Sequence, residues 1–511
     1  MRLGICGLAS AASALLVLGC GDNAPVYPPI VIVELNGGSV GGSSNGSGNY
    51  GNTGNTSNTG GSSASSGGQG NPGNGLGNGD PLYAHCSPFA AAPAPPVKTA
   101  CDMNALTDGG DLSGDIKADL TLQGGNFYTL KGEVRVFPGK KLTIEPCVKI
   151  MGQDPDALLV TMSSSLGDPE MACGYSGGTV TPSAQLIAVG EPMAPIVFTS
   201  AKPVGSRAPG DWGGVLLLGN AHNNLATDGG QVPIEGLERA ECHGYYTDQY
   251  NDDSSGDLEY VRIEYASKQV SPNNETNGLT FGSVGSGTEI HYVEVSNSGD
   301  DCFEWFGGTV NADHLIGLNC DDDIFDLDNG FSGKLQFLFG RQFPTTTEDT
   351  TFGFEISDGL GSAPLSTSAG LSNYTLCGGG PTDMSTTQRA GIYVKETTAL
   401  NIENGLVTGF KSAGLVSVSP NPGVTFTRIF DQTVVELNNH TFLGAPGNST
   451  EDPDRFCDCW TNPPAPVAAT SIEGTSTSGF PSADANYLGA FASDDPSSNW
   501  MTGAWVDWNY K

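Results

Sequence analysis

The chain has 511 residues, with 56 Asp and Glu against 21 Lys and Arg and a formal net charge of −35. An acidic excess of this size excludes nucleic acid as a partner and repels anionic lipid headgroups. With 73 Gly and only 37% hydrophobic residues, the composition disfavours long helices and points to short strands joined by turns.

The chain opens MRLGICGLASAASALLVLGC: one basic residue, Arg2, then an apolar stretch too short to span a bilayer durably. Residues 1–19 read as an export signal. Val17-Leu18-Gly19-Cys20 resembles the bacterial lipobox, so Cys20 is the expected lipidation site. Gly21, where an Asp would argue for inner-membrane retention, favours an outer-membrane lipoprotein, at the cell surface or facing the periplasm. The membrane is then a partner through the N-terminal lipid alone.

Residues 20–80 follow as a lipid-anchored linker. The Gly/Ser/Asn-rich run that includes NYGNTGNTSNTGGSSASSGG cannot bury enough apolar surface to fold. A flexible stalk of about 45 residues spans roughly 35–40 Å, which suits a tether. Residues 81–132 read as a lead-in and cap, 133–460 as the strand-rich body, and 461–511 as a C-terminal cap region.

Within the body, short alternating runs such as VRVFPGKKLTIEPCVKI (134–150), WGGVLLLGN (212–220) and LEYVRIEY (258–265) show period two between turn residues. The fold class is all-β. Laying DDCFEWFGG (300–308) over DDIFDLDNG (322–330) gives an ungapped register of 22 residues, with Phe303 on Phe325 and Trp305 on Leu327. A repeat of that length built from short strands is one coil of a parallel β-helix, a solenoid with loop insertions. Val293–Val295, Ile316–Leu318 and Phe337–Phe339 are the expected second strands of successive coils.

Setting aside Cys6 in the signal and Cys20, ten cysteines remain as disulfide candidates in an exported chain: Cys86, Cys101, Cys147, Cys173, Cys242, Cys302, Cys320, Cys377, Cys457 and Cys459. Proximity alone suggests Cys86–Cys101 and Cys147–Cys173. No CxxC occurs, and the His residues at 85, 222, 243, 291, 314 and 440 never fall at metal-ligand spacing.

PGDWGGVLLLGNA (209–221), LEYVRIEYA (258–266), the run 300–337 and YLGAF…NWMTGAWVDW (487–508) together resemble a family of exported bacterial lipoproteins. That resemblance implies a right-handed parallel β-helix of the pectin-lyase type and an extracytoplasmic location; it brings no catalytic residues. Cys302 stands where the resemblance implies Gly, which points to a disulfide added in this protein.

The chemistry turns on the carboxylates. Period two turns Phe303 and Trp305 inward and Glu304, with Phe306, to solvent. The 22-residue register then stacks Glu304 on Asp326 and Asp300-Asp301 on Asp322-Asp323. Asp at coil corners commonly hydrogen-bonds the local backbone, and that is the plain structural reading. Like charges stacked across paired strands are destabilising, however. Calcium, a hard cation taking six to eight oxygen ligands, is the expected relief, with Asp300, Asp301, Glu304, Asp322, Asp323, Asp326 and Asp328 as candidate ligands. Asp326-Leu-Asp328-Asn329-Gly330 has the alternating-acid spacing of a calcium loop.

SGDDC (298–302) resembles the Gly-Asp-Asp-Cys of polygalacturonase-type glycosidases, but their Asn-Thr-Asp, Gly-His-Gly and Arg-Ile-Lys motifs are missing. A lyase wants a basic residue beside the cation, for which Lys334 or Arg341 is available. No G-x-S-x-G elbow or phosphate loop occurs. Trp500, Trp505 and Trp508 are expected to plug the end of the solenoid, and the Tyr- and Asp-rich loop 241–256 is the first candidate for ligand contact. The reading that follows is a surface lipoprotein that binds an extracellular polysaccharide or envelope partner without catalysis. A polysaccharide lyase or glycoside hydrolase on the same fold is the alternative, and a purely structural envelope protein the third.

Overall fold

The computed structural model describes residues 101–163, Cys173, 180–226 and most of 230–442, with further short segments between 469 and 508. Among these residues the chain is a parallel β-helix whose strands join one 26-stranded sheet, and no helix is long and apolar enough to cross a membrane. Three parallel ladders make up each coil, one more strand per coil than the sequence pattern suggests.

The first ladder holds Leu158–Thr161, Val215–Leu218, Leu279–Gly282, Phe303–Phe306, Phe325–Asp328, Thr351–Ile356 and Arg389–Val394, each paired with the next. The expected register is present: Phe303 pairs with Phe325, Glu304 with Asp326 and Trp305 with Leu327. Coil length varies around it, since Phe281 pairs with Trp305 and Phe325 with Phe354. Inward side chains form stacked columns, with ring centroids 5.4 Å apart for Phe303–Phe325 and 5.0 Å for Phe281–Trp305. Such contacts add about 0.5–1.5 kcal/mol each beyond the area they bury.

The second and third ladders are the two halves of long strands: Gly256–Glu264, Glu289–Ser296, Asn311–Leu318, Lys334–Arg341 and Gly370–Cys377. Each bends at one residue in the left-handed region: Tyr260 (φ 51°), Tyr292 (φ 54°), His314 (φ 55°), Phe337 (φ 58°) and Asn373 (φ 53°). That conformation is costly for bulky residues. It is offset by stacking down the corner, at 4.7 Å for Tyr260–Tyr292, 4.2 Å for Tyr292–His314 and 4.7 Å for His314–Phe337. The bend also resets the alternation. Val293 therefore pairs with Leu315, and Leu315 with Leu338, inside, while Ile316, Leu318 and Phe339 face outward. The expected alignment of Ile316 and Phe337 with Val293 is corrected by one residue.

Those outward apolar residues are covered by the C-terminal segment. Trp505, Met501, Phe491 and Ala490 pack on Ile316, Leu318 and Phe339. The segment runs back along the side of the stack: Gln336 Nε2 donates to Ser482 O, Asn373 Nδ2 to Tyr487 O, and Arg262 donates to Ala504 O at 3.0 Å. The three tryptophans are thus a lateral strap, not the end plug expected from sequence. Parallel pairing also starts earlier than residue 133, with Thr107–Ile116 against Asn126–Val136.

The disulfides are Cys101–Cys147, Cys173–Cys242 and Cys302–Cys320. Both pairings guessed from proximity are wrong, because coiling brings neighbours together one turn apart and not along the chain. Cys302, the departure from the resemblance, is disulfide-bonded as expected. Cys377 is disulfide-bonded as well. Cys86, Cys457, Cys459 and the lipidation candidate Cys20 lie outside the described residues.

Candidate metal centre on the first ladder

Glu304 does point outward from the coil, but it is only 6% exposed, and Phe306 only 7%. The expectation that they face solvent fails because two insertions cover this side of the first ladder. Ile234 and Leu237 pack on the outward residues Leu216, Leu218 and Phe306. Beside them the hairpin Lys268–Ser271/Asn274–Thr276 is tied on by Gly236 N, which donates to Asn274 Oδ1 at 2.7 Å.

Under this cover the carboxylates stack in a file. Three overlapping groups each bring ligand oxygens within 4.8 Å of one another: Asp300, Asp301 and Asp322; Asp301, Glu304 and Asp326; Asp323, Asp326 and Glu355. Asp301, Glu304 and Asp323 are buried, Asp300, Asp326 and Glu355 partly so, and Asp322 is exposed. Asp328 takes no part. Its Oδ1 accepts from Asn329 N at 2.6 Å, and Asn329 and Gly330 form a left-handed turn, so the calcium-loop spacing does not become a loop.

The structural reading of the corner acids is half right. Asp301 Oδ1 accepts from Asp323 N at 2.7 Å, and Asp323 Oδ1 from Phe352 N at 2.5 Å, so each carboxylate caps the backbone of the next coil. Asn277 is the first member of this relay, accepting from Asp301 N at 3.2 Å and donating to Glu304 Oε2. The other side of the file is short of donors. Asp326 Oδ1 is buried without a hydrogen-bond partner, although such atoms are costly to leave unpaired.

Burial, with each other's charge, pushes these groups toward the protonated form. Asp300 is raised to about 8 by burial and then by Asp322, and Asp301, Glu304, Asp323 and Asp326 lie well above the ordinary carboxylate range for the same two reasons. Glu235, at the rim, is pushed to about 7 by desolvation, Glu275 and Asp328. The cation paired with the file is Lys395, on Glu355, and that contact outweighs the lysine's burial and holds it charged. An all-oxygen donor set with an orphaned carboxylate oxygen suits a hard divalent ion. These acidic clusters can chelate such a metal.

A family model described as the pectate-lyase-like β-helix domain matches residues 114–452. The chain belongs to this family. No curated protein and no solved structure gives a match. Within this pectate-lyase-like coil, the two basic residues suggested for a lyase sit on the other two ladders. Lys334 lies on the second ladder and Arg341 is 3% exposed on the third, its guanidinium 4.3 Å from the Phe343 ring centre.

The loop 241–256 is tied to the coil through Asp253, while Asp248, Gln249 and Asp252 stay exposed. Asp253 Oδ2 accepts from Asn220 N at 3.0 Å and from Ser183 Oγ at 2.5 Å. Asp248 of this loop completes a Ser–His–Asp arrangement with residues of the coil: Ser332 Oγ lies 3.2 Å from His222 Nε2, and Asp248 Oδ1 lies 3.1 Å from Nδ1. Gly330 O sits 2.7 Å from the same Nε2, which must therefore carry the proton and cannot act as a base toward Ser332. This is a structural tie.

Proposed function

We propose that this protein is an exported polysaccharide-acting β-helix whose acidic file binds Ca²⁺ and, through it, the carboxylates of an acidic polysaccharide. The observation that carries the reading is a stack of largely buried carboxylates, one oxygen of Asp326 unpartnered, with Lys395 paired to it at Glu355. Family membership favours cleavage over binding alone. A divalent ion on a uronate carboxylate acidifies the proton on the adjacent carbon, which is lyase chemistry. Lys395, held charged, cannot accept that proton; Glu235, at the rim of the file and pushed up to about 7 by partial desolvation and its acidic neighbours, suits proton transfer. The burial of Asp301, Glu304 and Asp323 supports the second reading, a Ca²⁺-braced surface that holds polymer without cutting it.

The experiment is incubation with polygalacturonate and other acidic glycans, with Ca²⁺ or with chelator, following unsaturated products and reducing ends. Cation-dependent product formation that drops at least 100-fold in Glu235→Gln, at unchanged melting temperature, is expected. Ca²⁺-dependent retention of polymer with no new ends would assign binding alone, and the absence of both product and retention would overturn the proposal. The signal at residues 1–19 and a lipid on Cys20 complete it by placing the protein on the outer membrane. Cys20→Ser should move the protein from the membrane fraction to the soluble one, and an unchanged membrane fraction would refute the anchor.

A further inference from the structure

A second feature lies on a different ladder from the carboxylate file. Outward residues of the second ladder form two adjacent columns across successive coils: Glu289, Asn311 and Lys334 in one, His291 and Asp313 in the other. Together with Thr288 on one side and Phe480 from the C-terminal strap on the other, they line a trough of about 350 Å³.

The trough is held rigid before any ligand arrives. His291 is clamped between two acids, with Nδ1 2.9 Å from Asp313 Oδ2 and Nε2 3.1 Å from Glu289 Oε2. Asp313 is in turn engaged by His314 at 2.5 Å. The hydrogen bond to Asp313, then its charge and Glu289, hold His291 protonated up to about 9 despite its burial. Asn311 Oδ1 accepts from Lys334 N at 3.0 Å, which leaves its amide nitrogen as the donor on offer. Phe480 closes the end over Gly370, the residue paired with Lys334. A Cβ at Gly370 would come within 3.2 Å of the ring, so a larger residue there would push the aromatic side chain aside by a few tenths of an ångström.

In a chain of net charge −35 this is a place where fixed positive and negative groups balance. It presents a fixed carboxylate, an amide donor and an aromatic wall on which Lys334 Nζ sits 5.8 Å from the ring centre, spaced along the stacking axis at about 4.8 Å per coil. Sugar hydroxyls are recognised by such fixed polar groups, and sugar faces by aromatic rings. We infer that this trough is a separate subsite for an oligosaccharide of about two units, lying along the axis and recognised by Glu289, Asn311 and Phe480 without a metal ion.

The site needs no divalent ion, so it stands or falls independently of the carboxylate file. The test is calorimetric titration of the full chain with trigalacturonate and with cellotriose, in chelator, beside Asn311→Ala and Phe480→Ala. Binding of at least one trisaccharide by the wild type, weakened at least tenfold in both variants at unchanged melting temperature, is expected. Should Phe480→Ala loosen the strap, Asn311→Ala, at an exposed position, carries the result alone. No binding in chelator, binding that appears only with Ca²⁺, or binding unaffected by Asn311→Ala would each overturn the subsite.

Discussion

Saturating Ca²⁺ is expected to raise the melting temperature of chelator-stripped protein by a few degrees at pH 8, and Glu304→Gln to remove that response. At a hundredfold excess over the dissociation constant, a site present only in the native state stabilises by about 2.7 kcal/mol. The variant has a second, opposite signature. Glu304 is buried against Asp326 and close in charge to Asp300, so without a cation it is a liability. Glutamine keeps the shape and removes the charge, so Glu304→Gln without cation should be more stable than wild type by about 1–2 kcal/mol.

The pH dependence has a definite sign. Asp300 and Glu235 titrate near 8 and 7 when folded, against ordinary carboxylate values in the unfolded chain, and the buried members are shifted the same way. Between pH 4 and 8 the native state therefore holds protons that the unfolded state has released, and cation-free stability falls as pH rises. Bound Ca²⁺ replaces those protons, so the fall should flatten in its presence and affinity should rise with pH. Thermal melts across this range, with Ca²⁺ or chelator, check both points. An identical slope in the two conditions, with Glu304→Gln less stable than wild type in chelator, would remove the metal centre.

Trp505→Ala is expected to cost about 3–5 kcal/mol and to release the strap. The indole is fully buried, with its ring edge-on to Tyr260 at 5.9 Å and Tyr292 at 5.8 Å and stacked on Trp500 at 6.2 Å. The backbone around it is pinned by Pro192 O and by Glu294 Oε2, which accepts from Asp507 N at 2.9 Å. Its loss uncovers Ile316, Leu318 and Phe339 but leaves the inward columns at Leu315 and Leu338 intact. Hydrogen exchange should then show protection lost over 499–508 and retained in the interior strands, with Trp505→Phe recovering most of it. Uniform loss of protection through the coil would show that the C-terminal segment is part of the folding core and not a strap.

The carboxylate file shows how far one-dimensional reading reaches. Glu304 over Asp326 was legible because both belong to ungapped repeats, and Glu355 could have been added by extending the column from Phe325 to Phe354. Glu235 and Glu275 carried no such signal. They sit on insertions, whose path back across the coil depends on contacts such as Gly236 with Asn274. The same insertions reversed the burial of Glu304: alternation says which side of a strand a residue takes, not whether that side meets water.

By itself the sequence determined the solenoid and the register of its first ladder at Phe303 and Phe325, because stacking identical side chains one coil apart demands a repeat that survives in the letters. It also placed Glu304 and Asp326 in one column. Only the tertiary structure decided the disulfide partners, the lateral course of the tryptophan strap, and the burial of acids that alternation alone would leave on the surface. Those outcomes rest on segments that do not repeat, folded onto the outside of the coil by apolar faces such as Ile316 and Leu216. Nothing in their spacing along the chain records where they land.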